Sequence, residues 1–189
     1  MLSETARAQL QADREMLRQW LAGHRSTPLS LPRRDAYDIC AVLFPTLGAH
    51  IRFQARYALT MFIMKLPWSR VKVALYHWLG VKIGTGVYIA PWTYFDAMFP
   101  SLIELGDGCF IGGGCKILTH ERTYEGFRVG RVRVGANSTL GAFSIVRSGV
   151  SIGVGVTTGL GSVVCKDVPD GRVAIGNPAR VLRGPDANA

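Results

Sequence analysis

His120 stands in the stretch Ile117-Leu-Thr-His-Glu, and every other histidine of the chain precedes residue 80. A neutral imidazole has an ordinary pKa of about 6.5, so it accepts protons near neutrality. A hydroxyl needs such a base before it attacks, because an alcohol is a poor nucleophile while it keeps its proton. Glu121 follows directly, and a carboxylate on the second ring nitrogen would stabilise the imidazolium that forms. Successive side chains on a strand point to opposite faces, so Glu121 serves His120 only if the chain turns there. A further acid, Asp96, lies in the segment Phe95-Asp-Ala-Met-Phe-Pro-Ser-Leu.

Both sites interrupt a repeat. An aliphatic residue returns every six positions, usually followed by glycine: Ile83 and Ile89, then Leu105, Ile111 and Ile117, then Val134, Leu140, Val146, Ile152 and Thr158. The fifth position of each hexad is small, as at Val87, Cys109, Cys115, Ser138, Ser144, Val156 and Ser162. Helices repeat near 3.6 and ordinary strands at 2, and neither yields a strict six. Period six points to a parallel β-helix, three short strands to a coil and the aliphatic residue turned inward. Glycine is expected for the turn conformations that other residues resist. Eighteen residues per coil stack Val134 on Ile152, Leu140 on Thr158 and Val146 on Val164. The rhythm fails at residues 95–102 and again at 122–131, and loops leaving a rigid scaffold commonly carry function.

The 189 residues suffice for one domain and an appendage. Four cysteines without ligand-like spacing read as reduced thiols, which suits a reducing cytoplasm. The start shows no secretory signal and no apolar run long enough to span a bilayer, so a cytoplasmic location is expected. The net charge of +9 is uneven: residues 39–80 hold five bases (Arg52, Arg56, Lys65, Arg70, Lys72) and no acid. No nucleic-acid motif accompanies that charge. A metal-dependent hydrase would need several histidine ligands on neighbouring coils, and the repeats offer one. No metal is expected.

From Val132 to Arg183 the sequence resembles the hexapeptide-repeat acyltransferases, specifically the sugar O-acetyltransferase branch that includes galactoside and maltose acetyltransferases. The likeness rests on the late hexads, on Lys166-Asp-Val-Pro and on Gly176-Asn-Pro-Ala-Arg-Val; upstream, Ile117-Leu-Thr-His-Glu resembles the family's catalytic histidine region. The resemblance implies a mainly β protein built on a left-handed parallel β-helix, a homotrimer, and acetyl-CoA in the groove between neighbouring prisms. It implies general-base catalysis by His120 on a carbohydrate hydroxyl, with Asp96 orienting the histidine across the subunit interface or binding a sugar hydroxyl. It further implies CoA phosphate contacts at Lys166 and Arg180, and a pantetheine arm along Ala142, Leu160 and Cys165. Gly141, Gly159 and Gly161 would keep that surface flat. Two positions depart from the family: Thr139, where a tryptophan is usual, and Leu160, where a small residue is usual. An amine acceptor, a longer acyl group and a non-catalytic scaffold therefore stay as alternatives.

The resemblance covers residues 81–183, followed by a tail at 184–189. The first 80 residues read as a helical region. Ser3 caps an amphipathic helix carrying Leu10, Leu17 and Leu21, the segment 30–35 breaks the pattern, and two or three apolar helices follow. They are expected to cover the open end of the prism. Their bases and aromatics (Phe53, Tyr57, Phe62, Trp68, Trp78) suggest peripheral contact of residues 39–80 with an anionic membrane, which would favour a lipid-linked acceptor.

Overall fold

The computed structural model describes residues 2–23, 27–35 and 37–182, so the expected tail at 184–189 lies outside the described residues. The chain opens with α1 (Glu4–Ala22), β1 (Leu29–Pro32), α2 (Ile39–Leu43), α3 (Leu47–Lys65) and α4 (Ser69–Trp78). Four coils follow. The first holds β2 (Lys82–Ile83), β3 (Tyr88–Ile89) and β4 (Tyr94–Phe95); the second holds β5 (Ile103–Leu105), β6 (Phe110–Ile111) and β7 (Lys116–Ile117). A hairpin of β8 (His120–Arg122) and β9 (Gly126–Val129) then leaves the prism. The third coil is β10 (Val132–Val134), β11 (Thr139–Leu140) and β12 (Ile145–Val146). The fourth is β13 (Ser151–Ile152), β14 (Thr157–Thr158) and β15 (Val163–Val164), and a hairpin of β16 (Val173–Gly176) and β17 (Ala179–Leu182) ends the described chain.

The strands stack in parallel into three faces, β2-β5-β10-β13, β3-β6-β11-β14-β16 with β17 antiparallel at its edge, and β4-β7-β12-β15. The expected register holds, with Val134 on Ile152, Leu140 on Thr158 and Val146 on Val164. Inward residues such as Ile89, Ile111, Leu140 and Ile117 are fully buried and form one continuous column. The small fifth position has a polar use as well. Cys109 and Cys115 donate to the Gly135 and Gly141 carbonyls at 3.1 Å, and Ser138 and Ser144 donate to those of Gly153 and Gly159 at 2.7 and 3.1 Å. Each corner carbonyl that turns inward is thereby satisfied within the core.

Glycine's role is divided differently from the expectation. The glycines after the aliphatic residues are needed for close approach: a Cβ on Gly141 would meet the Thr158 carbonyl oxygen at 2.5 Å, and one on Gly112 the Ala142 nitrogen at 2.6 Å. The left-handed turn lies two residues later, at Gly108, Gly114, Gly155 and Gly161, and at Trp92, Asn137 and Phe143. Sequence pattern located the glycines, but stacking of the next coil is what selects them.

Coils three and four are 18 residues apart at Val134 and Ile152, whereas Ile83 to Leu105 takes 22 and Leu105 to Val134 takes 29. All the extra residues enter after the third face, so both excursions leave from one corner on adjacent coils.

The first 80 residues do two jobs rather than one. Helices α3 and α4 cap the first coil and join its core through Ile63 and Tyr76. They also satisfy its open polar edge: Ile89 N–H donates to Ser69 at 2.8 Å, Trp92 N–H to the Met64 carbonyl at 2.7 Å, and Tyr76 OH to the Thr93 carbonyl at 3.0 Å. The buried Lys72 ammonium donates to the Ala90 carbonyl, and burial pushes its pKa down to about 8. A solenoid end left bare would expose these groups to other strands. In contrast α1, β1 and α2 leave the prism end alone. Strand β1, placed where the sequence showed only a break, pairs antiparallel with β9 through Leu31↔Phe127. Leu10, Leu17, Trp20, Leu31, Phe127 and Val129 bury one another in a second core beside the first.

Candidate active site

Asp96 follows Phe95 at the third corner of the first coil, and His120 comes three residues after Ile117, which stacks on Phe95. Stacked strands lie about 4.8 Å apart, so the two excursions start within side-chain reach of each other. Asp96 is fully buried, and its Oδ2 accepts His120 Nδ1–H at 2.6 Å within one chain, not across a subunit interface as expected, because Phe95 stacks directly on Ile117. The same oxygen accepts the Thr119 N–H at 2.9 Å, the Thr119 hydroxyl at 2.8 Å and the His120 N–H at 3.2 Å; Oδ1 accepts the Met98 N–H at 2.9 Å. Burial alone would raise the pKa of this carboxyl, but the His120 hydrogen bond and charge, with the Met98 and Thr119 amides, hold it below the usual range.

This set of bonds decides the tautomer. A carboxylate ringed by donors requires the proton on Nδ1, which leaves Nε2 with a lone pair. The His120 ring lies against Phe127, centroids 5.6 Å apart and nearly parallel, and meets the edge of Phe99 at 6.3 Å. The side chain is 26% exposed, so a substrate can reach it. Arg56 of α3 donates to the Met98 carbonyl at 3.0 Å and braces the turn that carries Asp96. Such a pair can accept a proton at Nε2 while the buried carboxylate offsets the charge gained.

Glu121, expected as a partner of His120, faces the other way. Strand alternation aims it at the third coil, where it accepts from Arg147 Nε at 2.8 Å and from the Ser148 hydroxyl at 2.6 Å. Burial would raise its pKa, but Ser148 and Arg147 more than offset that and lower it. Its geometry is that of an anchor holding the hairpin to the prism corner.

On the hairpin face that carries His120, a cavity of about 510 Å³ opens between the hairpin and the N-terminal segment. Arg34, Tyr37, Asp38, Arg122, Tyr124 and Phe127 are among its lining residues. Phe127 is thus shared between the cavity wall and the histidine. Arg122 pairs with Asp38 at 2.8 Å, Tyr37 OH donates to Asp13 at 2.6 Å, and the Arg33 guanidinium lies 4.3 Å over the Tyr124 ring. Sequence reasoning did not find Tyr37, Arg122 or Tyr124. Their only signal was that the loop after His120 is polar and aromatic, and the cavity exists because β1 docks on β9.

The residues expected to hold a cofactor fall on two corners. Gly141 and Ala142 sit at the second corner of the third coil, and Gly159, Leu160 and Gly161 at the second corner of the fourth. Leu160 and the neighbouring Phe143 are exposed there, and nothing lies within 4 Å of a Cβ built on Gly161. Cys165 and Lys166 stand on the same corner as His120, two coils further on, and the exposed Arg180 lies on β17. A flat apolar strip with two exposed cations beyond it suits a thin chain ending in phosphates.

No family model matches the chain. A Bacillus subtilis (strain 168) protein named "Putative acetyltransferase YvoF" is 37% identical to it over 117 residues, 61% of this chain and 68% of that protein. The chain belongs to the hexapeptide-repeat acyltransferases. The similarly named SACOL2570 of Staphylococcus aureus (strain COL) is 40% identical over 113 residues, and this acyltransferase spans 56% of its length. Two solved structures show the same fold, the left-handed parallel β-helix. The hexapeptide-repeat acetyltransferase VCA0836 of Vibrio cholerae has 19% identity and a TM-score of 0.58, covering 73% of this chain and 93% of that one. A maltose O-acetyltransferase from Clostridium difficile 630 has 21% identity and a TM-score of 0.52, covering 74% of this acyltransferase and 89% of that chain.

Proposed function

We propose that the protein moves an acetyl group from acetyl-CoA to a hydroxyl of a sugar or surface-polysaccharide precursor, with His120 as general base. The observation that carries this reading is the His120–Asp96 pair, whose imidazole packs on Phe127, a residue that also lines a cavity of acids, arginines and aromatic rings. Neutral sugars are bound by such sets, hydroxyls by the charged groups and ring faces by the aromatics. Two structural neighbours support the donor and the acceptor class: VCA0836 has been solved complexed with acetyl coenzyme A, and the other neighbour is a maltose O-acetyltransferase.

Bound acetyl-CoA supplies the thioester carbonyl. His120 Nε2 accepts the proton of the attacking hydroxyl, and Asp96 offsets the imidazolium charge through the 2.6 Å bond. His120 then holds that proton for the departing sulfur. Gly141, Ala142, Gly159, Leu160, Gly161 and Cys165 line the pantetheine arm, and Lys166 and Arg180 take the CoA phosphates. Most of these residues stand one corner away from His120, and this supports a site completed between neighbouring protomers of a homotrimer. The outer column of the second face adds an apolar surface for such packing, with Tyr88 and Phe110 stacked at 4.9 Å.

The test is thiol release from acetyl-CoA against a panel of simple and lipid-linked sugars, comparing wild type with His120→Ala. Acceptor-dependent release that falls by at least about a hundredfold supports the assignment. Undiminished turnover in the variant overturns it.

A further inference from the structure

Helix α3 is apolar on both sides. Arg56, Thr60 and Ile63 point toward the first coil and its excursion, with Thr60 and Ile63 buried. On the opposite side Leu47, Ile51, Ala55, Ala58 and Phe62 form one stripe at helical spacing, all exposed. Leu47 is 75% exposed, Ile51 57% and Phe62 59%. The next helix repeats the arrangement. Lys72 and Tyr76 of α4 are buried against the coil, while Val71, Ala74 and Trp78 face away, Trp78 being 75% exposed. Trp68, between the helices, is 64% exposed. A helix that is apolar all round ordinarily has something on each side. Here the prism covers one side only.

We propose that this outer face docks on an anionic lipid bilayer, with α3 and α4 seated in the headgroup region. Charge argues for that occupant. Residues 39–80 carry five bases and no acid. Arg56 and Lys72 point inward, so Arg52, Lys65 and Arg70 remain on the surface, all exposed. Lys65 continues the stripe of Leu47 and Phe62, and Arg70 adjoins Val71. Bases set among large apolar side chains suit an interface where the stems lie in lipid and the charged heads meet phosphate. A second copy of this chain would bring the same acid-free, basic face against it, and like charges facing each other disfavour that occupant. No described helix is long and apolar enough to cross a membrane, so the contact is with the surface. On the acetyltransfer reading, the acceptor is then a saccharide carried on a membrane lipid. Arg56 ties α3 to the Met98 turn beside Asp96, so the docked helix also sets the site's distance from the bilayer. Only this acceptor statement rests on the proposed activity; the docking does not.

Co-flotation tests it, with vesicles of phosphatidylcholine alone and of phosphatidylcholine with phosphatidylglycerol, at about 0.1 M salt. The full chain is expected to float with the anionic vesicles. A Phe62→Ser/Trp68→Ser/Trp78→Ser variant and an Arg52→Gln/Lys65→Gln/Arg70→Gln variant should each lower the bound fraction by at least about fivefold. Circular dichroism and light scattering should show both folded and with the wild-type mass. No flotation even at low salt overturns the proposal. So does flotation undiminished in both variants, or a serine variant that falls to a smaller assembly, which would make the face an interface between copies. His120→Ala should float like wild type whatever its activity, so failure of docking and failure of the catalytic assignment remain separate results.

Discussion

Replacing Asp96 by asparagine removes one charge and keeps the shape, and the structure sets the size of the effect. The carboxylate is buried and accepts five hydrogen bonds, four of them at Oδ2. An amide has one accepting atom. With its oxygen toward Thr119 and His120, its NH₂ faces the Met98 N–H; flipped, its NH₂ faces His120 and moves the imidazole proton to Nε2, where it blocks the base. Either arrangement leaves a buried donor unmet, at about 1–3 kcal/mol of stability, or a few degrees of melting temperature. On the proposed mechanism catalysis loses more, because the imidazolium formed would no longer face a charge. Breaking a buried ion pair costs about 3–5 kcal/mol, and about 1.4 kcal/mol is tenfold in rate, so kcat should fall by about two to four orders of magnitude. The assay is steady-state thiol release, with thermal melting alongside. Asp96 positions His120 without touching acetyl-CoA, so the KM for acetyl-CoA should stay within about twofold. A kcat within about threefold of wild type in a folded Asp96→Asn protein would refute the reasoning.

Glu121→Gln should show the opposite profile, with a loss of about 1–3 kcal/mol from unpairing Arg147 and with kcat reduced far less than in Asp96→Asn, measured by melting and thiol release. Acid stability follows from the lowered pKa of Asp96. A carboxyl depressed in the folded state stabilises above its ordinary value of about 3.9 and loses that contribution as pH falls through the lower folded value, so Asp96→Asn should flatten this part of an acid melt. Glu104 is held at about 2: burial opposes ionisation, but Lys82, Arg133 and Arg131 outweigh it. Its stabilisation should persist above the ordinary glutamate value and vanish as pH falls through about 2, so Glu104→Gln should cost about 1–2 kcal/mol at neutrality after screening, read by urea unfolding at several pH values. Gly141→Ala should be the more damaging of two glycine changes, since its Cβ meets backbone at 2.5 Å, while Gly155→Ala has open space and costs about 1–2 kcal/mol for its φ of 65°. Equal melting shifts for the two would refute the division of glycine roles.

The prism was legible because stacking writes a period into the sequence: each coil needs an inward residue at the same phase, so Val134, Ile152 and their equivalents declare the register. The breaks were legible for the same reason. Which of the two expected acids meets His120 was not. Glu121 lay beside His120 in sequence, yet strand alternation carried it to Arg147, while Asp96, 24 positions earlier, met the imidazole through the stacking of Phe95 on Ile117. The docking of β1 on β9 was hidden more deeply. It joins Leu31 to Phe127, uses four residues on each strand, and has no period to announce it. Polar wall residues such as Tyr37 and Arg122 became visible only once that pairing was known. The helical cap was expected as a covering, but the single side chains that satisfy the first coil's edge, Ser69, Lys72 and Tyr76, depend on three-dimensional register alone.

Both excursions spring from one corner of a rigid column, and this separates two things that most enzymes must vary together. The meeting of Asp96 and His120 follows from the stacking of Phe95 on Ile117, the last coil residues before the two excursions. The tip of the hairpin, residues 123–125, can change length without touching that stacking, while Glu121, Phe127 and Val129 keep their places against the prism and His120. Variation confined to that tip and to the N-terminal segment facing it would reshape the cavity and leave the His120–Asp96 bond in place.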